Sequence, residues 1–251
     1  MKRFLIVIFF INILTSFGFG QIQVGGNQPE IKKEKPVKKT IDGEVKPSET
    51  RVYLGTGVSN TFRTLEPNKN ELFAESLGVR ADETSYTAWA FHLGFSTDIS
   101  KHLMWESGLS FLRNGEKYAF SATDTSHTYT SKYSWIGVPI KLYFKHDINK
   151  LRLQAGVGVI PQMQMKFSKD EIFKNSNNVE SIVNTKTING MNNFGVSAVA
   201  NLGFQYNLSP KFGVFVQFEY RHQLTSSYLK TNAFIHRGTA IGSNFGVVFG
   251  L

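Results

Sequence analysis

The sequence predicts an all-β fold: an eight-stranded antiparallel up-and-down transmembrane β-barrel, placed behind an N-terminal signal peptide and a disordered tether. Three observations predict it. Towards the C-terminus Phe212, Val214, Val216, Phe218 and Tyr220 alternate with Gly213, Phe215, Gln217, Glu219 and Arg221, the pattern of a strand with two unlike faces. Short and long connections alternate along the chain. The less apolar faces of the fifth strand (Arg152, Gln154, Gly156, Gly158) and the sixth (Gly195, Ser197, Asn201, Gly203, Gln205) are rich in glycine and poor in lysine and glutamate, which suits a tightly curved interior better than a solvated exterior.

Residues 1–20 read as a signal peptide. Lys2 and Arg3 form a positive start, residues 4–14 an apolar run, and Gly18 and Gly20 the small residues before a cut ahead of Gln21. The run is broken by Asn12 and too short for a spanning helix. Residues 21–50 contain Pro29, Pro36 and Pro47, many lysines and glutamates and almost no large apolar residue, so a flexible periplasmic linker is expected. A solvated spacer is one use for it, and contact with an anionic cell-wall polymer another. The formal charge of +9 belongs partly to the leader. In the linker Glu30, Glu34, Asp42, Glu44 and Glu49 nearly balance Lys32, Lys33, Lys35, Lys38, Lys39 and Lys46. Export and the absence of an aromatic-basic reading motif exclude nucleic acid as an expected partner. The chain has no cysteine, so it forms no disulfide and carries no lipidated thiol.

The barrel is expected over 51–251, with strands at about 51–62, 86–98, 103–113, 133–145, 150–165, 190–207, 211–224 and 238–251. The final strand, with Ile241, Phe245, Val247, Phe249 and Leu251 on one side, runs to the last residue and needs a partner, which barrel closure supplies. Tight turns join the second and third strands, the fourth and fifth, and the sixth and seventh. The other connections are longer and polar. Outer-membrane barrels have short periplasmic turns and long outer loops, so both chain ends are expected in the periplasm and outer-membrane lipid is expected around the barrel.

Inward parity places Glu106, Lys141, Arg152, Glu219 and Arg221 in the lumen. Charges buried singly would cost several kcal/mol each, so they are expected to pair as a polar network that plugs the barrel. Phe95, Trp105, Phe144, Tyr206, Phe212 and Phe249 fall on the outward parity near the turns, where an interfacial aromatic belt belongs.

The strand Tyr133, Ser134, Trp135, Ile136, Gly137, Val138, Pro139, Ile140, Lys141, Leu142, Tyr143 resembles the central strand of the PorT-like outer-membrane β-barrel family, with its aliphatic-Pro-aliphatic core followed by a basic residue and an aromatic. Ala155 to Val159 and the hairpin from Gly203 to Lys211 are similar to the next strand and a later hairpin of that family. Gly137 stands where the family has an acidic or polar residue. The resemblance implies outer-membrane placement and, for some relatives, a part in assembling a protein-secretion apparatus.

No residues are expected to be catalytic, to bind a cofactor or to hold a metal. The six histidines fall in no ligand motif. His92 and Ser96 share a face but lie about 13 Å apart along a strand, and His222 and Glu219 face opposite ways. The expectation is therefore a non-enzymatic, porin-like envelope component with a plugged lumen, whose partners are envelope or secretion-complex proteins. A narrow channel for small solutes or ions and a rim-located lipid hydrolase are the alternatives.

Overall fold

The computed structural model describes residues 50–68, 82–177 and 179–251. The expected signal peptide, and all of the expected linker but Thr50, lie outside the described residues. Among the described residues ten strands run in order: β1 (Thr50–Pro67), β2 (Glu83–Asp98), β3 (Leu103–Ser121), β4 (Ser126–Gly137), β5 (Ile140–Ile148), β6 (Leu151–Lys174), β7 (Glu180–Thr185), β8 (Phe194–Ser209), β9 (Phe212–Gln223) and β10 (Phe234–Gly250). Neighbours pair antiparallel, and β1 pairs with β10 from Arg51 opposite Gly250 to Pro67 opposite Phe234, which closes the ring. Closure pairs the two strands that would otherwise be the open edges of the sheet.

The wall has eight strands because β4 and β5 are one strand interrupted. Ser110 sits opposite Gly137 and Ser107 opposite Ile140, so the register against β3 is the same on both sides of the gap. Pro139 has no N–H to give the ladder and opens it locally. Val138 N still donates to Pro161 O at 2.9 Å. Gly137 is explained here as well: a Cβ on it would lie 2.6 Å from Ile160 Cγ2.

Tight turns cluster at one end. Asn149, with φ 54°, takes the left-handed conformation that a two-residue hairpin needs, and Ser100 Oγ accepts from Leu103 N at 3.1 Å in the β2–β3 turn. Both Thr50 and Leu251 lie at this turn end, where Leu251 N donates to Thr50 O at 3.1 Å. The outward face is apolar and open: Leu54, Phe91, Leu142, Val157, Leu202 and Phe218 are all exposed. On β9 and β10 this belt covers residues 212–220 and 241–249, nine residues each, close to the ~9–11 of a tilted spanning strand.

Past the belt the structure departs from expectation. Residues 114–121, 126–132 and 166–174, read from sequence as loop, are strand, and β7 adds to the far part of β6 with Ile182 opposite Ile172. The ends of β3, β4 and β6 with β7 thus form a flap that stands beyond the belt at the loop end. Period-two alternation persists there, with Glu116, Tyr118 and Phe120 on one face and Lys117, Ala119 and Ser121 on the other. Polar composition hid that alternation from the sequence reading.

Candidate functional site

The lumen is filled in layers, from the turn end upward. Arg152 Nε donates to Asp147 Oδ1 at 2.6 Å, and its NH2 reaches Asp98 Oδ2 at 3.2 Å. Lys145 Nζ joins the same Asp98 carboxylate. Above this lies the layer built on Lys141, whose Nζ is 3.1 Å from Glu106 Oε1 and 4.0 Å from Glu219 Oε2. Arg221 NH1 donates to Glu219 Oε1 at 3.2 Å and its NH2 to Asn114 Oδ1 at 3.0 Å. Asn244 and Asn201 donate to the remaining Glu219 oxygen at 2.9 and 3.2 Å. Each ion therefore meets at least one opposite charge, as burial in low dielectric demands.

The structure brings four of the five expected lumen charges, Glu106, Lys141, Glu219 and Arg221, into one network. It places the fifth, Arg152, in the separate turn-end cluster. The lumen space beside Lys141 and Glu106 is a cavity of about 20 Å³, shared with Tyr53, His92 and Gln154 among others. That is room for about one water molecule and none for a solute.

An apolar layer comes next. Trp135, Tyr133, Leu112, Ile160, Phe167 and Val199 form a buried cluster on the inner face, where sequence reasoning expected glycine and ions. Above it Glu116 accepts from His236 Nε2 at 2.9 Å, and Arg63 NH1 lies 3.5 Å away. Burial alone would raise the Glu116 carboxyl. The charge and hydrogen bond of His236 and the Arg63 guanidinium outweigh it and hold the group below the ordinary carboxylate value. Tyr133 Oη donates to Glu116 Oε1 at 3.3 Å and lies 3.4 Å from Tyr228 Oη. Tyr228 belongs to the β9–β10 connection, residues 224–233, which folds over the mouth. Asn192 Nδ2 donates to Ser226 O and Tyr228 O at 2.8 and 2.7 Å, and Asn68 Nδ2 to Lys230 O at 2.8 Å.

Sequence reasoning missed Glu116 because it ended the third strand at residue 113. Glu116 shares parity with Glu106, and extending the alternation by three residues would have found it.

The six expected belt aromatics lie at the turn end. Phe95 packs edge-on against Trp105 at 5.2 Å, and Phe212 packs at a tilt against Phe249 at 5.3 Å, while Phe144 and Tyr206 are exposed. His92 Nδ1 is hydrogen-bonded to Ser110 Oγ at 2.8 Å, not to Ser96, and both partners are buried. His222 Nδ1 is paired with Thr239 Oγ1 at 2.8 Å. Among the described residues no group of three or more His, Cys, Asp or Glu is placed to hold a metal ion.

A closed antiparallel ring with an apolar exterior and an ion-paired interior defines a transmembrane barrel of the outer membrane. Residues 45–249 match the model of the outer membrane protein beta-barrel domain, and the chain belongs to that family. Solved structures similar to it include Neisserial surface protein A (11% identity, 81% of this chain and 99% of that one, TM-score 0.41) and the outer membrane protein OprG from Pseudomonas aeruginosa (9% identity, 81% and 96%, TM-score 0.41). The outer membrane protease OmpT from Escherichia coli is another, at 6% identity, 84% and 100% coverage and a TM-score of 0.40. No curated protein matches the chain significantly.

Proposed function

We propose that this chain is a non-enzymatic, plugged barrel that works by interaction, as a structural component of the cell envelope with the turn end and both termini in the periplasm. The observation that carries the reading is the lumen. Lys141, Glu106, Glu219 and Arg221 satisfy one another, and the space beside them is about 20 Å³. A barrel so filled moves no solute, which weighs against a narrow channel. Burial of His92 and Ser110 together weighs against a rim hydrolase, because no lipid reaches them. Binding is then left to the two ends: the turns with the linker on one side, the flap on the other. The resemblance of residues 133–143 to PorT-like barrels favours a secretion-apparatus partner at the periplasmic end.

Chemical cross-linking in intact cells followed by purification in detergent tests this. The expected result is one or more envelope proteins joined to the full chain and fewer joined to a chain lacking residues 21–49. Recovery of the protein alone in both cases overturns the interaction reading, and steps of conductance in planar bilayers overturn the plug.

A further inference from the structure

Beyond the apolar belt the flap carries a row of rings partly open to solvent. Tyr118 stacks on Tyr129 at 5.1 Å with the planes 15° apart, His127 lies 5.6 Å from both, and Phe173 is 6.1 Å from His127. All four have the inward parity; Arg63 of β1 lies over part of Tyr129, 5.7 Å from its ring centroid, and the row opens towards Phe173. Tyr118, His127 and Tyr129 are half-buried and Phe173 is exposed. Polar groups sit among the rings: His127 Nε2 is 2.6 Å from Glu171 Oε1, and Lys169 Nζ is 3.0 Å from Glu171 Oε2 and 4.5 Å from the Tyr129 centroid. The opposite face of the same strands holds Lys117, Thr128, Thr130 and Asp170.

We infer that this face of the flap binds a chain of sugar rings dissolved outside the cell. A sugar has an apolar C–H face and a rim of hydroxyls. Aromatic rings match the first, and an imidazole, a carboxylate and an ammonium at the ring edges match the second. The other occupants fit less well. A protein partner selects a patch whose centre is poor in charge, and here the Glu171 ion pairs lie in the middle. Lipid tails reject the same ions. A phosphate backbone would meet the Glu171 carboxylate. The row also faces the barrel axis, so a saccharide anchored in neighbouring lipid meets the Lys117 face first, whereas a free chain reaches the rings from above. This inference deepens the interaction reading and rests on the proposed orientation, with the loop end outside.

Titration calorimetry on the full barrel in a sugar-free amine-oxide detergent tests binding independently of orientation. The probes are linear hexasaccharides of β-1,4-linked glucose, mannose, xylose and N-acetylglucosamine, together with purified lipopolysaccharide. At least one free hexasaccharide is expected to bind. Tyr118→Ala and Phe173→Ala are each expected to weaken it about tenfold, while Thr130→Ala on the opposite face leaves it unchanged, all three keeping heat-modifiable migration. Binding to no hexasaccharide, to lipopolysaccharide alone, or equally by Tyr118→Ala and the parent overturns the inference. Asn177→Cys, labelled on intact cells by an impermeant thiol reagent, reports orientation separately. Failure there overturns the outside placement and leaves the calorimetric result to stand or fall by itself.

Discussion

Lys141 on β5 stands directly opposite Glu106 on β3, and its ammonium lies 3.1 Å from that carboxylate with both side chains almost wholly buried. A second carboxylate, Glu219 from the far side of the lumen, lies 4.0 Å from the same nitrogen. One cation thus ties the β3–β5 wall to β9 across the interior.

Removing that cation leaves Glu106 without a partner charge. Lys141→Met is expected to destabilise the barrel by about 3–5 kcal/mol. Lys141→Met with Glu106→Gln should recover part of the loss, since the pair is in contact and its effects are not additive. Urea unfolding in micelles, followed by heat-modifiable migration, measures both; equal stability of the single and double variants would show that the pair is not coupled.

Gly156 faces the ring of Tyr143, and a Cβ there would overlap Tyr143 Cδ1. Tyr143 is fully buried, so the ring has nowhere to move without displacing the Lys141 layer. Gly156→Val should cost about 1–3 kcal/mol or more by overpacking, against little for a change at exposed Val157 on the lipid face. The same unfolding assay compares them.

At the mouth, the Glu116 carboxyl is held below its ordinary value by His236 and Arg63. A depressed carboxyl stabilises the fold above the unfolded-state value of ~4.3, and the contribution is lost as pH falls through that value and below it. The parent's unfolding midpoint should therefore drop as pH falls below about 4.3, and the drop should be smaller in Glu116→Gln. Parallel curves for the two proteins would remove Glu116 from the account.

Asn192 holds the connection over the mouth through two carbonyls, Ser226 O and Tyr228 O. Asn192→Ala leaves both without this donor, at about 1–3 kcal/mol for such a loss. Exposed Lys230 lies two residues beyond Tyr228, so trypsin should cut after it faster in the variant. Mass spectrometry of a timed digest reads the rate, and an unchanged rate means that the other anchors suffice.

Much of this was legible in the residues. The alternation of Phe212 to Tyr220 and of Ile241 to Phe249 announces strands with one apolar face, and the glycines of the other face say which side is inside. The site was less legible. Inward parity picks out Arg152 and Lys141 alike, yet only Lys141 joins Glu106 and Glu219, because the partners of each are set by its height in the closed wall. Trp135 and Leu112 share the inward parity of Lys141 and Glu106, yet the expected filling was glycine and ions, and an apolar layer in the lumen was not foreseen. Polar residues around Tyr118, Tyr129 and Phe173 disguised the flap as loop.

By itself the sequence determined that the chain forms paired strands with unlike faces, joined by turns short at one end. That is local information, carried by a two-residue period and by residues such as Asn149 that suit a hairpin. Only the tertiary structure decided which charges meet. Glu116 and His236 are 120 residues apart, and they touch because β1 closes on β10 in one particular register; no local pattern encodes the height at which two strands from opposite ends of the chain come level.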